Sequence, residues 1–138
     1  MTETNPPRRV WRSVLAVVAG LVTVVALDTG SDAVMHATHV FAPFQPMADN
    51  LYLLALAYRA VDGVIGGYVA ARLAPDRPVR HAVILGCIGV AASIAGAAAF
   101  WNKGPEYGPK WYPLTLVVIA LPCAWLGGKL RALQMSSR

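Results

Sequence analysis

The sequence predicts an all-α fold: a transmembrane bundle of four helices with both chain ends on the cytoplasmic side. Three observations predict it. Hydrophobic residues make up 57% of the 138 positions and charged residues 14%, against the roughly one quarter charged that soluble domains carry. The apolar residues gather into four blocks, at about 10–38, 51–73, 79–101 and 111–133, and each is close to the ~20 residues a helix needs to cross about 30 Å of hydrocarbon. Basic residues also alternate with those blocks. Arg8, Arg9 and Arg12 precede the first, Arg72, Arg77 and Arg80 lie between the second and third, and Lys129, Arg131 and Arg138 follow the fourth, whereas the other two connections hold only Lys103 and Lys110. This is the positive-inside pattern, and residues 1–138 read as a single integral membrane domain.

The net charge of +5 follows the spans rather than one surface, so it argues against nucleic acid as a partner. An N-terminal signal peptide is the competing reading of the first block, since its arginines precede SVLAVVAGLVTVVAL. No small-x-small cleavage site follows cleanly, so the block is read as the first span.

Only Ser13 to Leu27 are free of charge in that block, and they rise about 22 Å as a helix, too little to cross. The helix is therefore expected to continue through LDTGSD, placing Asp28 and Asp32 in or near the outer hydrocarbon. Gly30 is a point at which it could bend or stop. An outer loop broken by Pro43 and Pro46 should follow, with Asp49 or Asn50 capping the second helix. The connection APDRPVRH is short and turn-like, which makes the second and third helices antiparallel neighbours. Around NKGPEYGPK, the residues Trp101, Tyr107, Trp111 and Tyr112 form an interfacial aromatic belt. Pro113 falls where a first turn tolerates it, whereas Pro122 should kink the fourth helix.

The second helix carries two opposite charges inside its span, Arg59 and Asp62. On a helical wheel Tyr52, Ala55, Arg59, Asp62, Gly63, Gly66 and Ala70 share one side, and Leu54, Val61, Val64, Ile65 and Tyr68 lie opposite. Small residues let helices approach, so the charged side should face the bundle and the bulky side lipid. A lone charge at that depth costs at least about 2.5 kcal/mol, so Arg59 needs a partner among Asp28, Asp32 and Asp62. The four residues are expected to form an intramembrane ionic cluster.

His36 and His39 continue the Asp28–Asp32 face and form an outer polar cluster beside it, but without HExxH or finger spacing no metal is expected. His36 and His39 lie at the opposite membrane edge from His81, which excludes a shared haem. Cys87 and Cys123 sit mid-span without CxxC spacing and read as inert packing residues. No GxSxG or other nucleophile-and-base pattern occurs, so the chain is read as a non-enzyme with no cofactor. The pairs in GGYVAARL and LGGKLRAL point to small residues needed at one depth. On the third helix, Ala82, Gly86, Gly89, Ser93, Gly96 and Ala97 suit either packing within the chain or a homodimer interface.

The stretches AYRAVDGVIGGYVAARLAPDRPVRH and WNKGPEYGPKWYPLTLVVIALPCAWLGGKL resemble an uncharacterised family of small bacterial four-span integral membrane proteins. The resemblance covers most of the chain and implies a multi-pass protein of the bacterial cytoplasmic (inner) membrane. It brings no activity or catalytic residue. From the residues themselves, the leading expectation is a scaffold or accessory subunit that partners lipid and either a second copy or another membrane protein. The alternative is a small transporter or ion/proton pathway, monomeric or dimeric.

Overall fold

The computed structural model describes residues 6–42, 45, 47–104 and 107–137; Pro43, Pro46 and Arg138, which figure in the sequence reading, lie outside them. The described residues form four helices: α1 (Pro6–Ala37), α2 (Asp49–Leu73), α3 (Pro78–Phe100) and α4 (Trp111–Ser136). All four are long and apolar enough to cross a membrane. Their outward faces are correspondingly apolar, with Val14, Val18, Val22 and Val25 exposed along α1 and Leu114, Val118, Leu121 and Trp125 along α4. In hydrocarbon such a face costs nothing to expose, provided that each helix satisfies its own backbone.

Two boundaries differ from the sequence reading for local reasons. Gly30 does not end α1, which continues to Ala37. The stop comes at His39, which takes a left-handed conformation with φ 59°, while Val40 and Phe41 return their backbone N–H groups to the carbonyl of Met35. That is a left-handed C-terminal cap, usually built on glycine. At the start of α2 the cap residue is Ala48, with no side-chain hydrogen bond; Asp49 instead occupies the first turn, where its charge suits the helix dipole. Pro122 lies inside α4, which continues through it.

α2 is the central helix. It packs against α1, α4 and α3, the α3–α4 seam is the most extensive, α1 meets α3 only slightly, and α1 and α4 barely touch. The packing is uneven along the bundle. At the end bearing the α2–α3 turn, glycines bring backbones together: a Cβ on Gly67 would strike the backbone of Ala124, one on Gly127 the backbone of Val64 and Tyr68, and one on Gly20 the Gly66 carbonyl at 2.8 Å. Of the two glycine pairs in the sequence, Gly67 and Gly127 meet across α2 and α4, whereas Gly66 lies against Val24 of α1 and Gly128 against Ala82 of α3. The backbone of Val64 and Tyr68 borders Gly127, while the Tyr68 hydroxyl donates to Gln134 of α4 at an exposed position. An ion pair from Arg9 to Asp76 ties the start of α1 to the α2–α3 turn at this closed end.

At the other end the helices meet through side chains. Larger rings fill the space between their tips. Tyr52 lies 5.3 Å from Tyr112 and 6.3 Å from Trp111, ring centre to ring centre, and Phe100 stacks on Tyr107 at 5.4 Å. Lys110 sits 4.8 Å over the Trp101 ring. These contacts gather the aromatic belt read from the sequence around one open end.

Candidate functional site: an acid–arginine cluster on a four-helix cavity

Asp28 and Asp32 are one helical turn apart on α1, so both carboxyl groups face the same way. Arg59, from α2, reaches both: Nη1 lies 3.2 Å from Asp28 Oδ2 and Nη2 lies 2.6 Å from Asp32 Oδ2. One guanidinium therefore clamps a full turn of α1, using the forked geometry that suits arginine to carboxylates. The Tyr58 hydroxyl donates to the second oxygen of Asp32, so both Asp32 oxygens are engaged. Tyr112 of α4 stands beside the Arg59 guanidinium.

Asp62 is different. It is 6% exposed, makes no ion pair with Arg59 among the described contacts, and leaves Oδ2 buried without a donor. Asp28 Oδ1 is likewise buried without a donor. Of the four residues grouped from the sequence, Arg59 joins Asp28 and Asp32, whereas Asp62 makes no ion pair among the described contacts. Tyr58 and Tyr112 were missed. Their neighbours in sequence offered no signal, since each hydroxyl acts on a different helix.

His36 and His39 do not join this group. His36 is exposed and its Nδ1 lies 2.8 Å from the Asp32 carbonyl of its own helix, while His39, beyond the helix end, leaves the shared face because of its positive φ. Among the described residues no group of three or more His, Cys, Asp and Glu is gathered for a metal ion. His81 is buried at the closed end, its Nδ1 3.1 Å from the Arg77 carbonyl.

The cluster opens onto a cavity of about 530 Å³ that all four helices line, within the range of small-molecule sites. Asp28 and Arg59 form its polar wall. Leu21, Val24 and Val25 of α1 and Leu116, Ile119 and Cys123 of α4 supply apolar wall, and the α3 side is a row of small residues, Gly89, Ala92, Ser93, Gly96 and Ala97. Phe100, Tyr107 and Tyr112 stand at the open end. The cavity exists because α1 barely meets α4 and because α3 offers no side chain large enough to fill the gap: a Cβ at Gly96 would meet nothing within 4 Å. The small α3 residues thus divide by depth. Ala82 and Gly86 pack against α4, where a Cβ on Gly128 would strike Ala82 and one on Gly86 would meet Leu121 at 2.7 Å, whereas those from Gly89 to Ala97 face the cavity. Cys87 is exposed and Cys123 partly buried, both as free thiols.

Comparisons with models of known protein families, with curated proteins and with solved structures find no match, so the site's own geometry has to carry the functional reading.

Proposed function

We propose that this chain is a small transporter or ion/proton pathway, a multi-pass protein of the bacterial cytoplasmic membrane with both termini inside. One observation carries the reading: the four helices line an open cavity of about 530 Å³ whose only charged wall, among the described residues, is the Asp28–Arg59 pair. Ionisable groups within a span are costly, and those facing an interior cavity are the ones that ion and substrate routes use. A bundle held only for scaffolding would gain more from filling that space, because an unfilled cavity forfeits packing energy. The orientation rests on nine basic residues on one side of the spans against two on the other.

A scaffold or accessory role is the second reading. It is favoured by α1, which packs mainly on α2 and leaves Val14, Val18, Val22 and Val25 exposed for a partner helix. Proteoliposomes with a trapped pH-sensitive dye separate the two. A transporter or proton pathway should carry a proton flux above that of empty vesicles, and Gly96→Leu, which grows into open cavity, should abolish it. Flux equal to empty vesicles, together with copurification of a defined larger complex, would favour the scaffold.

A further inference from the structure

We infer that the cavity takes the acyl chain of a single-chain anionic amphiphile, a long-chain carboxylate, whose head is held at the rim by Lys103 and Lys110. The inference rests on the cavity being a binding site and adds the chemical class of its ligand.

Shape is the first argument. The lining runs along α3 from Leu85 to Phe100 and along α4 from Tyr112 to Ala124, about 22 Å and 18 Å at 1.5 Å per residue. A volume of about 530 Å³ drawn out over that length is a slot rather than a chamber. Leu21, Val24, Leu116 and Ile119 make most of its wall apolar, so an acyl chain inside meets surroundings like those among lipid tails. Unfilled, the same walls forfeit the contacts that a chain would supply.

Charge then selects the head. The one charged stretch of the slot is the Asp28–Arg59 pair, whose two groups already answer each other at 3.2 Å. A cation entering would find that acid engaged. Asp28 also lies about 14 Å below the end of α1, beside the chain of an amphiphile rather than beside its head. The rim is basic instead. A smaller cavity of about 240 Å³ adjoins the slot, sharing Ala97, Phe100, Tyr107 and Pro113 with it, and Lys103 and Lys110 both line it. Their exposed ammonium groups lie 5.9 Å from the Tyr107 ring centre and 4.8 Å from that of Trp101. Such contacts steer a lysine without cancelling its charge. Glu106, in the same connection, lies outside the described residues; two lysines against that one glutamate leave the connection with a net charge of +1. Aromatic belts mark the level at which the heads of membrane amphiphiles lie, so a head at these lysines and a chain below it match the pose an amphiphile already has in the bilayer. One slot accepts one chain.

Photolabelling of the full chain in phosphatidylcholine vesicles tests this. The probe is palmitate with a diazirine midway along its chain, used in mildly alkaline buffer so that the carboxylate is ionised, and mass spectrometry locates the label. Label should fall on the cavity walls of α3 and α4. Unlabelled palmitate should displace it at a concentration at least tenfold lower than hexadecyltrimethylammonium, whose chain is as long and whose charge is opposite. Lys103→Gln with Lys110→Gln should raise the concentration for half-maximal labelling about tenfold or more, since an interfacial lysine attracts an anion about fivefold. Gly96→Leu, with Ser93→Leu as a second obstruction, should abolish cavity labelling while the protein still elutes as the wild type does. Displacement by the ammonium as readily as by palmitate, with label still lost in the obstructed variants, would overturn the anionic class and leave the cavity as the site. Phosphatidylglycerol displacing the label as well as palmitate does would overturn the single-chain form. Label that ignores the obstructions would overturn the cavity reading itself.

Discussion

Arg59 Nη2 lies 2.6 Å from Asp32 Oδ2, and the same guanidinium holds Asp28 at 3.2 Å one turn away, so a single side chain fixes α1 on α2 in both register and rotation. Where α1 has little else to lean on, at the open end of the bundle, this clamp sets the width of the cavity. The cluster is therefore structural and chemical at once.

Removing the clamp should be expensive. Arg59→Ala strands Asp28 and Asp32 together, and stripping one partner from a buried pair costs about 3 to 5 kcal/mol. Detergent-stable yield and thermal stability should fall accordingly. Because Arg59 has two partners, a double variant that removes only Asp28 or only Asp32 should recover little. Arg59→Met with Asp28→Asn and Asp32→Asn should recover most of the loss, as uncharged replacements of buried ion pairs often do, and the amide oxygen introduced on α1 can still accept from the Tyr58 hydroxyl. Wild-type stability for Arg59→Ala would remove the clamp from the account.

Glycines should divide sharply by position. Gly127→Ala drives a methyl into the backbone of Val64 and Tyr68, which cannot rotate aside, and overpacking of this kind costs about 1 to 3 kcal/mol or more. Gly30→Ala meets nothing within 4 Å and replaces the costlier helix residue, so it should gain roughly 0.5 to 1 kcal/mol. Thermal unfolding of the two variants, followed by size-exclusion chromatography, reads the difference. Equal behaviour would mean that the α2–α4 seam is looser than its glycines imply.

The four helices and the Arg59 cluster could be read from the sequence because each rests on a local cost: an apolar run long enough to span, and an ion too expensive to leave alone. What escaped depends on how the helices are arranged. A single helical wheel assigns one inner face, whereas α2 is central and packs on two sides: Gly66 meets Gly20 and Val24 of α1, and Gly67 meets Ala124 of α4. Small residues in α3 signal close approach wherever they occur, yet only Ala82 and Gly86 achieve it, and Gly89 to Ala97 leave space. No periodicity reports where two helices leave a gap. Likewise the end of α1 carries no glycine to announce it, because His39 adopts the conformation that glycine usually supplies.

That last feature is itself testable. With φ at 59°, His39 bears the side-chain penalty of the left-handed region, about 1 to 2 kcal/mol for ordinary residues. His39→Gly removes it, offset in part by the greater freedom of glycine in the unfolded chain, and should raise the thermal midpoint modestly. His39→Val should lower it. Because the side chain lies outside the cluster, neither variant should alter proton flux in proteoliposomes, and an effect on flux would place His39 in the site after all.

Orientation decides which side of the membrane feeds the cluster. Asp28 lies nine residues before the end of α1 at Ala37, and Arg59 ten residues after the start of α2 at Asp49, so both sit about 14 to 15 Å from the open end at 1.5 Å per residue. With three basic residues before α1, three around the α2–α3 turn and three after Leu126, the closed end should be cytoplasmic and the cavity should open outward. Reporter fusions after Arg77 and Arg138 should then report cytoplasm, and fusions after Met47 and Gly104 the outer side. A cytoplasmic signal at Gly104 would overturn this topology.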